Sequence, residues 1–257
     1  YAEMSIEPKM AQSTTQVLEF LHQLAEKSRP HAERELQELQ SWVKETYGLD
    51  RLEVWDVPYY AEKLKEAHYQ ISQEMLRPYF TLTKVLEGLF ALNKKLFDID
   101  IVRQEGVETW HPDVQFYRVE QGGEPLAYFY LDLFAREGKR GGAWMAECRV
   151  RRRAADKLQL PVAYLVCNFN APIGDTPSLL THSEVTTLFH EFGHGLHHML
   201  TRVEQLGVSG INGVAWDAVE LPSQFMENWC WEQEGLALIA GHWESGEPLP
   251  AEMLERM

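Results

Sequence analysis

Apolar residues recur at helical spacing through most of the first hundred positions. Val17, Leu18, Leu21 and Leu24 form one stripe, and Leu36, Leu39, Trp42 and Val43 form another. Apolar residues three and four apart mark one face of a helix. Ser13 or Thr14 can cap the first stripe. Pro30 can open a second helix, because a first turn has no use for the amide it lacks, and Gly48 suits a C-terminal cap. The pattern therefore predicts two helices over 13–48, a third from Pro58 to Tyr69 and a fourth over Thr83–Phe97. The character changes near Asp98. Val114–Val119 and Ala127–Phe134 alternate as strands do, and Gln121-Gly122-Gly123-Glu124-Pro125 can turn between them. Pro161–Phe169 is a continuous apolar run of the buried-strand kind. Helical spacing returns at Val185, Leu188, Phe189, Phe192, Leu196 and Leu200. Thr181 and Glu184 make a capping box at its start, with Leu180 and Val185 at the flanking staple positions. The expected class is α+β, mainly α. It comprises a helical segment at 1–98, a small sheet region at 99–178 and a pair of helices within 179–257.

Composition narrows the chemistry. Hydrophobic residues make up 45% of the 257 and aromatic residues 11%, enough for a folded core. The formal net charge of −15 argues against nucleic acid and against anionic membrane surfaces, both of which need clustered cations. No apolar run reaches the roughly 18 residues of a membrane span, and no signal peptide opens the chain. The three cysteines, Cys148, Cys167 and Cys230, are widely spaced and odd in number, which predicts reduced thiols and a cytoplasmic setting. The chain begins at Tyr1 and ends in Ala251–Met257, which reads as the opening of a helix. This predicts an internal piece of a longer protein, prone to self-association through apolar surface left uncovered.

The candidate chemistry sits in the last helix pair. His190-Glu191-Phe192-Gly193-His194 is an H-E-x-x-H motif. On a helix, positions i and i+4 share a face, so two imidazoles can converge on one ion. Glu191 sits where it can reach a water at that ion and act as general base. Catalytic zinc sites take three protein ligands and leave one position open. Asp217, Glu220 and Glu227 are the carboxylates downstream, spaced one or two turns apart on a helix. His194 and His198 repeat the i, i+4 spacing but lack the adjacent base, and His197 lies about 10 Å along the helix from His190, too far to share its ion. His197, His198 and His182 therefore read as ordinary helix residues.

Outside that pair the signals are weaker. Arg136–Gly142 lacks the P-loop order and reads as a mobile turn. Arg149, Arg151, Arg152 and Arg153 read as solvated surface. Gln205–Gly213, with three glycines in seven residues, reads as a bending loop that returns the chain to the histidines. The sheet before the metal helix suggests a strand edge for pairing with an extended peptide, and Cys167–Asn170 is the predicted rim.

The stretch H-E-F-G-H-G-L-H-H-M-L, followed by W-D-A-V-E-L-P-S-Q-F-M-E-N-W, resembles the thimet oligopeptidase family of zinc metallopeptidases. The likeness extends over nearly the whole chain, including F-Y-L-D-L-F-A-R-E-G-K-R-G-G-A-W at 129–144. It implies a zincin-like core holding one zinc ion per chain. His190, His194 and Glu220 match the ligands, and Glu191 matches the general base. A metal-bound histidine commonly gives its other N–H to a carboxylate or carbonyl. Asp217, one turn before Glu220, is the first candidate for that partner, with Ser223 and Glu227 as rivals. The resemblance also implies hydrolysis of short peptides rather than folded proteins. In the family, a His and a Tyr closer to the C-terminus are thought to stabilise the oxyanion. Their match would lie beyond Met257, so the chain alone is expected to work at least roughly a hundredfold more slowly than a complete enzyme. The alternatives are a non-catalytic module whose zinc only pins two helices, and an inactive peptide-binding relative.

Overall fold

The stripe interrupted by Pro30 belongs to one helix, not two. Helix α1 covers Ala2–Ile6 and α2 runs unbroken over Thr14–Tyr47 with Pro30 inside it. Leu18 to Leu36 and Leu21 to Leu39 are each eighteen residues apart, five whole turns, so both stripes lie on the same face. Pro30 removes one ladder bond without changing that phase. The ends follow expectation. Ser13 Oγ accepts the Gln16 amide at 3.1 Å, and Gly48 closes the helix in the left-handed conformation at φ 73°. Helix α3 (Val57–Tyr69) starts with its proline in the first turn and packs on α2.

The computed structural model describes residues 1–257. The chain forms two compact units. One comprises Tyr1–Ser72 with 215–217 and Arg256, and so holds α1, α2 and α3. The other comprises Gln73–Val214, Ala218–Glu255 and Met257, and it holds the sheet and the predicted site residues from 190 to 227 apart from Asp217. No helix is long and apolar enough to cross a membrane.

In the second unit a short α4 (Gln73–Leu76) leads to α5 (Leu82–Phe97), capped by Thr81 Oγ1 on the Lys84 amide at 3.2 Å. Seven strands follow: β1 Asp100–Arg103, β2 Gln115–Gln121, β3 Glu124–Phe134, β4 Trp144–Arg149, β5 Arg152–Ala154, β6 Lys157–Gln159 and β7 Val162–Phe169. Gly122 and Gly123, at φ 58° and 84°, make the two-residue turn between β2 and β3, a conformation that favours glycine. The main sheet has the order β1-β2-β3-β7-β4, with β5 and β6 as a separate hairpin. Only the β3–β7 pair is parallel. The remaining helices are α6 (His182–Met199), α7 (Leu221–Glu227), α8 (Gln233–Ile239) and α9 (Ala251–Leu254). The class is α+β. Between the sheet and α6, Phe192 meets Phe129 edge-on at 5.6 Å and Leu188, Phe189 and Leu165 are fully buried.

One expectation about basic residues is corrected. The Arg136–Gly142 segment is pinned rather than mobile. Arg136 forks onto the buried Asp132 at 2.6 and 2.8 Å, and Lys139 reaches the same carboxylate at 2.9 Å. The arginine cluster is surface, as expected: Arg149, Arg152 and Arg153 are exposed, and Arg151 and Arg153 pair with Glu204. Burial alone would raise the Asp132 pKa, but hydrogen bonds from Arg136, Lys139 and Trp110 outweigh it and hold the carboxyl at about 2. A depressed carboxylate stabilises the fold above its unfolded pKa, and that contribution disappears as pH falls through the folded value. The shift from 3.8 to about 2 is worth ~2 kcal/mol. Asp132→Asn is therefore expected to lose at least that much stability at neutral pH. In urea unfolding, its deficit relative to the parent should shrink as pH falls from 5 towards 2.

Candidate metal centre

Helix α6 starts from a complete capping box. Thr181 Oγ1 accepts the Glu184 amide at 3.1 Å, and Glu184 Oε2 accepts the Thr181 amide at 2.8 Å. This fixes the helix start, while burial of Val185, Leu188, Phe189, Phe192 and Leu196 fixes its rotation. His190 and His194 are left on the opposite side, half-buried, with ring centroids 4.8 Å apart. Glycine brings the second element close. A Cβ at Gly193 would lie 2.5 Å from Pro222 O and 2.6 Å from Ser223 Cα, nearer than such atoms approach. The start of α7 therefore rests directly on α6, and Glu220, the residue before it, faces the histidines. Gly193→Ala is expected to force the two apart, at a cost of about 1–3 kcal/mol in stability together with weaker zinc binding. A thermal melt and a zinc titration check this.

Glu220 Oε2 lies 3.3 Å from His190 Nε2 and 3.1 Å from His194 Nε2. His190 Nδ1 is 2.6 Å from Glu227 Oε1 and donates to it, so in the neutral ring Nε2 carries a bare lone pair. A bare imidazole nitrogen and a carboxylate oxygen at 3.3 Å repel unless a cation lies between them. Ligands at the 2.0–2.1 Å usual for zinc with His and carboxylate stand about 3.3 Å apart in a tetrahedral shell. The spacing and chemistry of this donor set thus fit zinc. His194 Nδ1 is buried without a protein partner. Burial lowers the His194 pKa, against the pull of Glu220, which favours the neutral ring a metal requires. Ser223 Oγ donates towards Glu220 O at 2.8 Å and Oε2 at 2.9 Å, one proton shared between them, and so orients the carboxylate.

Asp217 does not take the place expected of it. The expectation assumed a helical turn from 217 to 220, but α7 begins only at Leu221. Asp217 Oδ2 instead accepts the Met10 amide at 3.0 Å. Glu227, one of its two rivals, holds His190.

Glu191 is 7% exposed. Burial raises its pKa, which His190 and a hydrogen bond from the Met145 amide oppose and Glu220 reinforces. A carboxyl with raised proton affinity suits proton transfer near neutral pH. It lines an open cleft of about 500 Å³ together with Ala143, Thr187, His190, Glu227 and Trp231.

Two of the other histidines of α6 have structural partners. His182, 2% exposed, places Nε2 2.8 Å from Cys230 O, and buried His198 places Nε2 2.8 Å from Arg149 O. Burial lowers the His197 pKa. Cys167 and Cys230 are buried free thiols, pushed up to about 12 by that burial.

The expected rim at Cys167–Asn170 lies past Val166, the last residue of β7 that β4 pairs. Two of its carbonyls are taken by side chains, Cys167 O by Lys139 and Asn170 O by Ser178. The edge strand that contacts α6 is β4. Six residues of modest alternation, Trp144–Arg149, carry too little pattern to reveal such a strand in the sequence.

The chain has relatives among known proteins. Over its whole length the chain is 56% identical to Oligopeptidase A of Haemophilus influenzae and equally to Oligopeptidase A of Escherichia coli K12, covering 38% of each. It is 47% identical to the Organellar oligopeptidase A, chloroplastic/mitochondrial, of Arabidopsis thaliana, covering all of this chain and 34% of that one. The chain thus spans less than two fifths of the length of these relatives. The model of peptidase family M3 matches residues 1–257, and the chain belongs to that family, the thimet oligopeptidase group that its motifs resemble.

Proposed function

We propose that these residues carry the zinc-binding and proton-transferring centre of a zincin-like metalloendopeptidase that hydrolyses short peptides. The observation that carries the reading is the convergence of His190 Nε2, His194 Nε2 and Glu220 Oε2 beside a buried carboxylate, Glu191, in a cleft open to solvent. His190, His194 and Glu220 would hold one zinc ion. When bound there, zinc acts as a Lewis acid that lowers the pKa of a water towards about 7 and polarises a scissile carbonyl. Glu191 takes a proton from the attacking water and later delivers it to the leaving amine. Glu227 keeps the His190 proton on Nδ1 and so keeps Nε2 available to the metal. Ser223 holds Glu220 in the orientation that faces both rings. The free edge of β4 can pair with an extended peptide by main-chain hydrogen bonds. Within the chain we assign 1–98 as a helical segment, 99–178 as the sheet region and 179–257 as the zinc-binding helices.

Metal analysis combined with hydrolysis of a quenched fluorescent peptide tests this. The expected result is one zinc per chain, cleavage that a chelator removes and zinc restores, and no cleavage of a folded protein. Hydrolysis that survives complete zinc removal would overturn the reading.

A further inference from the structure

Strand β4 is held in the sheet by β7 alone. Residues 135–143, which connect β3 to β4, pass over the ends of β3 and β7, where the β3–β7 register is irregular between Asp132 and Phe134. The Lys139 side chain there is 5% exposed. Its Nζ reaches Asp132 O at 3.0 Å, Asp132 Oδ1 at 2.9 Å, Phe134 O at 2.8 Å and Cys167 O at 2.5 Å. An ammonium with three N–H groups fits this cage of four oxygens, and the Asp132 carboxylate balances its charge. From β7, Asn168 Nδ2 reaches back to Arg140 O at 2.9 Å and Gly142 O at 2.6 Å. The connection is therefore fastened at Lys139, Arg140 and Gly142, just before Ala143 enters the cleft wall that Glu191 also lines.

We propose that Lys139 is a positioning residue: its buried ammonium, with Asn168 as second fastener, sets the placement of Ala143–Met145 and thereby the alignment of the β4 edge with Glu191. It touches neither the metal ligands nor the cleft. The inference rests on the peptidase reading for its consequence in catalysis, but the placement itself can be measured without catalysis.

Two variants test it. Lys139→Met removes the ammonium at nearly constant volume. Asn168→Ala loosens the same connection without leaving Asp132 and Arg136 short of a partner, so it serves if the first variant does not fold. Hydrogen exchange of the zinc-loaded chain is expected to quicken at least about tenfold at Trp144 and Met145, with α6 amides unchanged. Zinc affinity, read by chelator competition, is expected to stay within about threefold of the parent, because no ligand or ligand partner is touched. With a quenched peptide, kcat/KM is expected to fall by about 10- to 100-fold, as misplacement at a reacting centre produces, with KM rising because the pairing edge is displaced. Unchanged exchange at Trp144 and Met145 in folded variants would overturn the proposal. So would exchange that rises equally across β3, β7 and α6 while zinc is lost in step, which marks a general loss of stability. Failure of the peptidase reading would appear separately, as a zinc-loaded parent that cleaves nothing.

Discussion

Glu191→Gln is expected to leave zinc bound and to lower peptide hydrolysis by about 10²–10⁴-fold, the usual worth of a general acid–base group. The substitution keeps size and hydrogen-bonding shape but removes the ability to accept a proton. Glu191 is not one of the three converging donors, so the affinity for zinc should stay near the parent value. Burial already disfavours the charged carboxylate here, so a neutral amide costs little in folding. Chelator competition and turnover of a quenched peptide, measured on the same zinc-loaded samples, separate the two effects. A variant that loses zinc together with activity would make Glu191 a ligand or a structural support rather than a base.

Glu220→Ala should do the reverse and remove the metal. Changing a partner that merely orients a ligand typically costs about 10–100-fold in metal affinity. Loss of a direct ligand should exceed that, so Glu220→Ala is expected to bind zinc more than about 100-fold more weakly. Glu227→Ala, which strips His190 of its Nδ1 partner, should fall within the range of about 10–100-fold. The order of the two variants matters more than either value. Equal zinc retention in Glu220→Ala and the parent would reject Glu220 as the third ligand.

Much of this site was legible because its sequence signals are local. Thr181 and Glu184 specify a helix start, and the Leu188–Leu200 stripe specifies which face is buried. Together they place His190 and His194 on one side before any tertiary contact is considered. The pairing of Gly122 with Gly123 fixed the hairpin in the same way, since two successive positive-φ residues suit little else. What stayed hidden depends on contacts distant in sequence. Glu227 rather than Asp217 meets His190 because α7 starts after Glu220, a boundary that spacing could not locate. Lys139 looked like part of a flexible glycine-rich turn, because a lysine beside three glycines carries no sign that four oxygens from β3 and β7 await it. Pro30 misled for the opposite reason. Its local rule is sound, but the stripe on either side stays in phase through it. The position of β4 at the sheet edge follows from the crossover of β7 between it and β3, which no periodicity encodes.

The central claim is that His190, His194 and Glu220 form a three-ligand zinc site with one open position. Zinc X-ray absorption on the metal-loaded chain tests it most directly. The account predicts a first shell of nitrogen and oxygen only, at about 2.0–2.1 Å, with outer-shell scattering from two imidazoles and one exchangeable water. A sulfur shell near about 2.3 Å, or a fourth protein donor in place of the water, would contradict it.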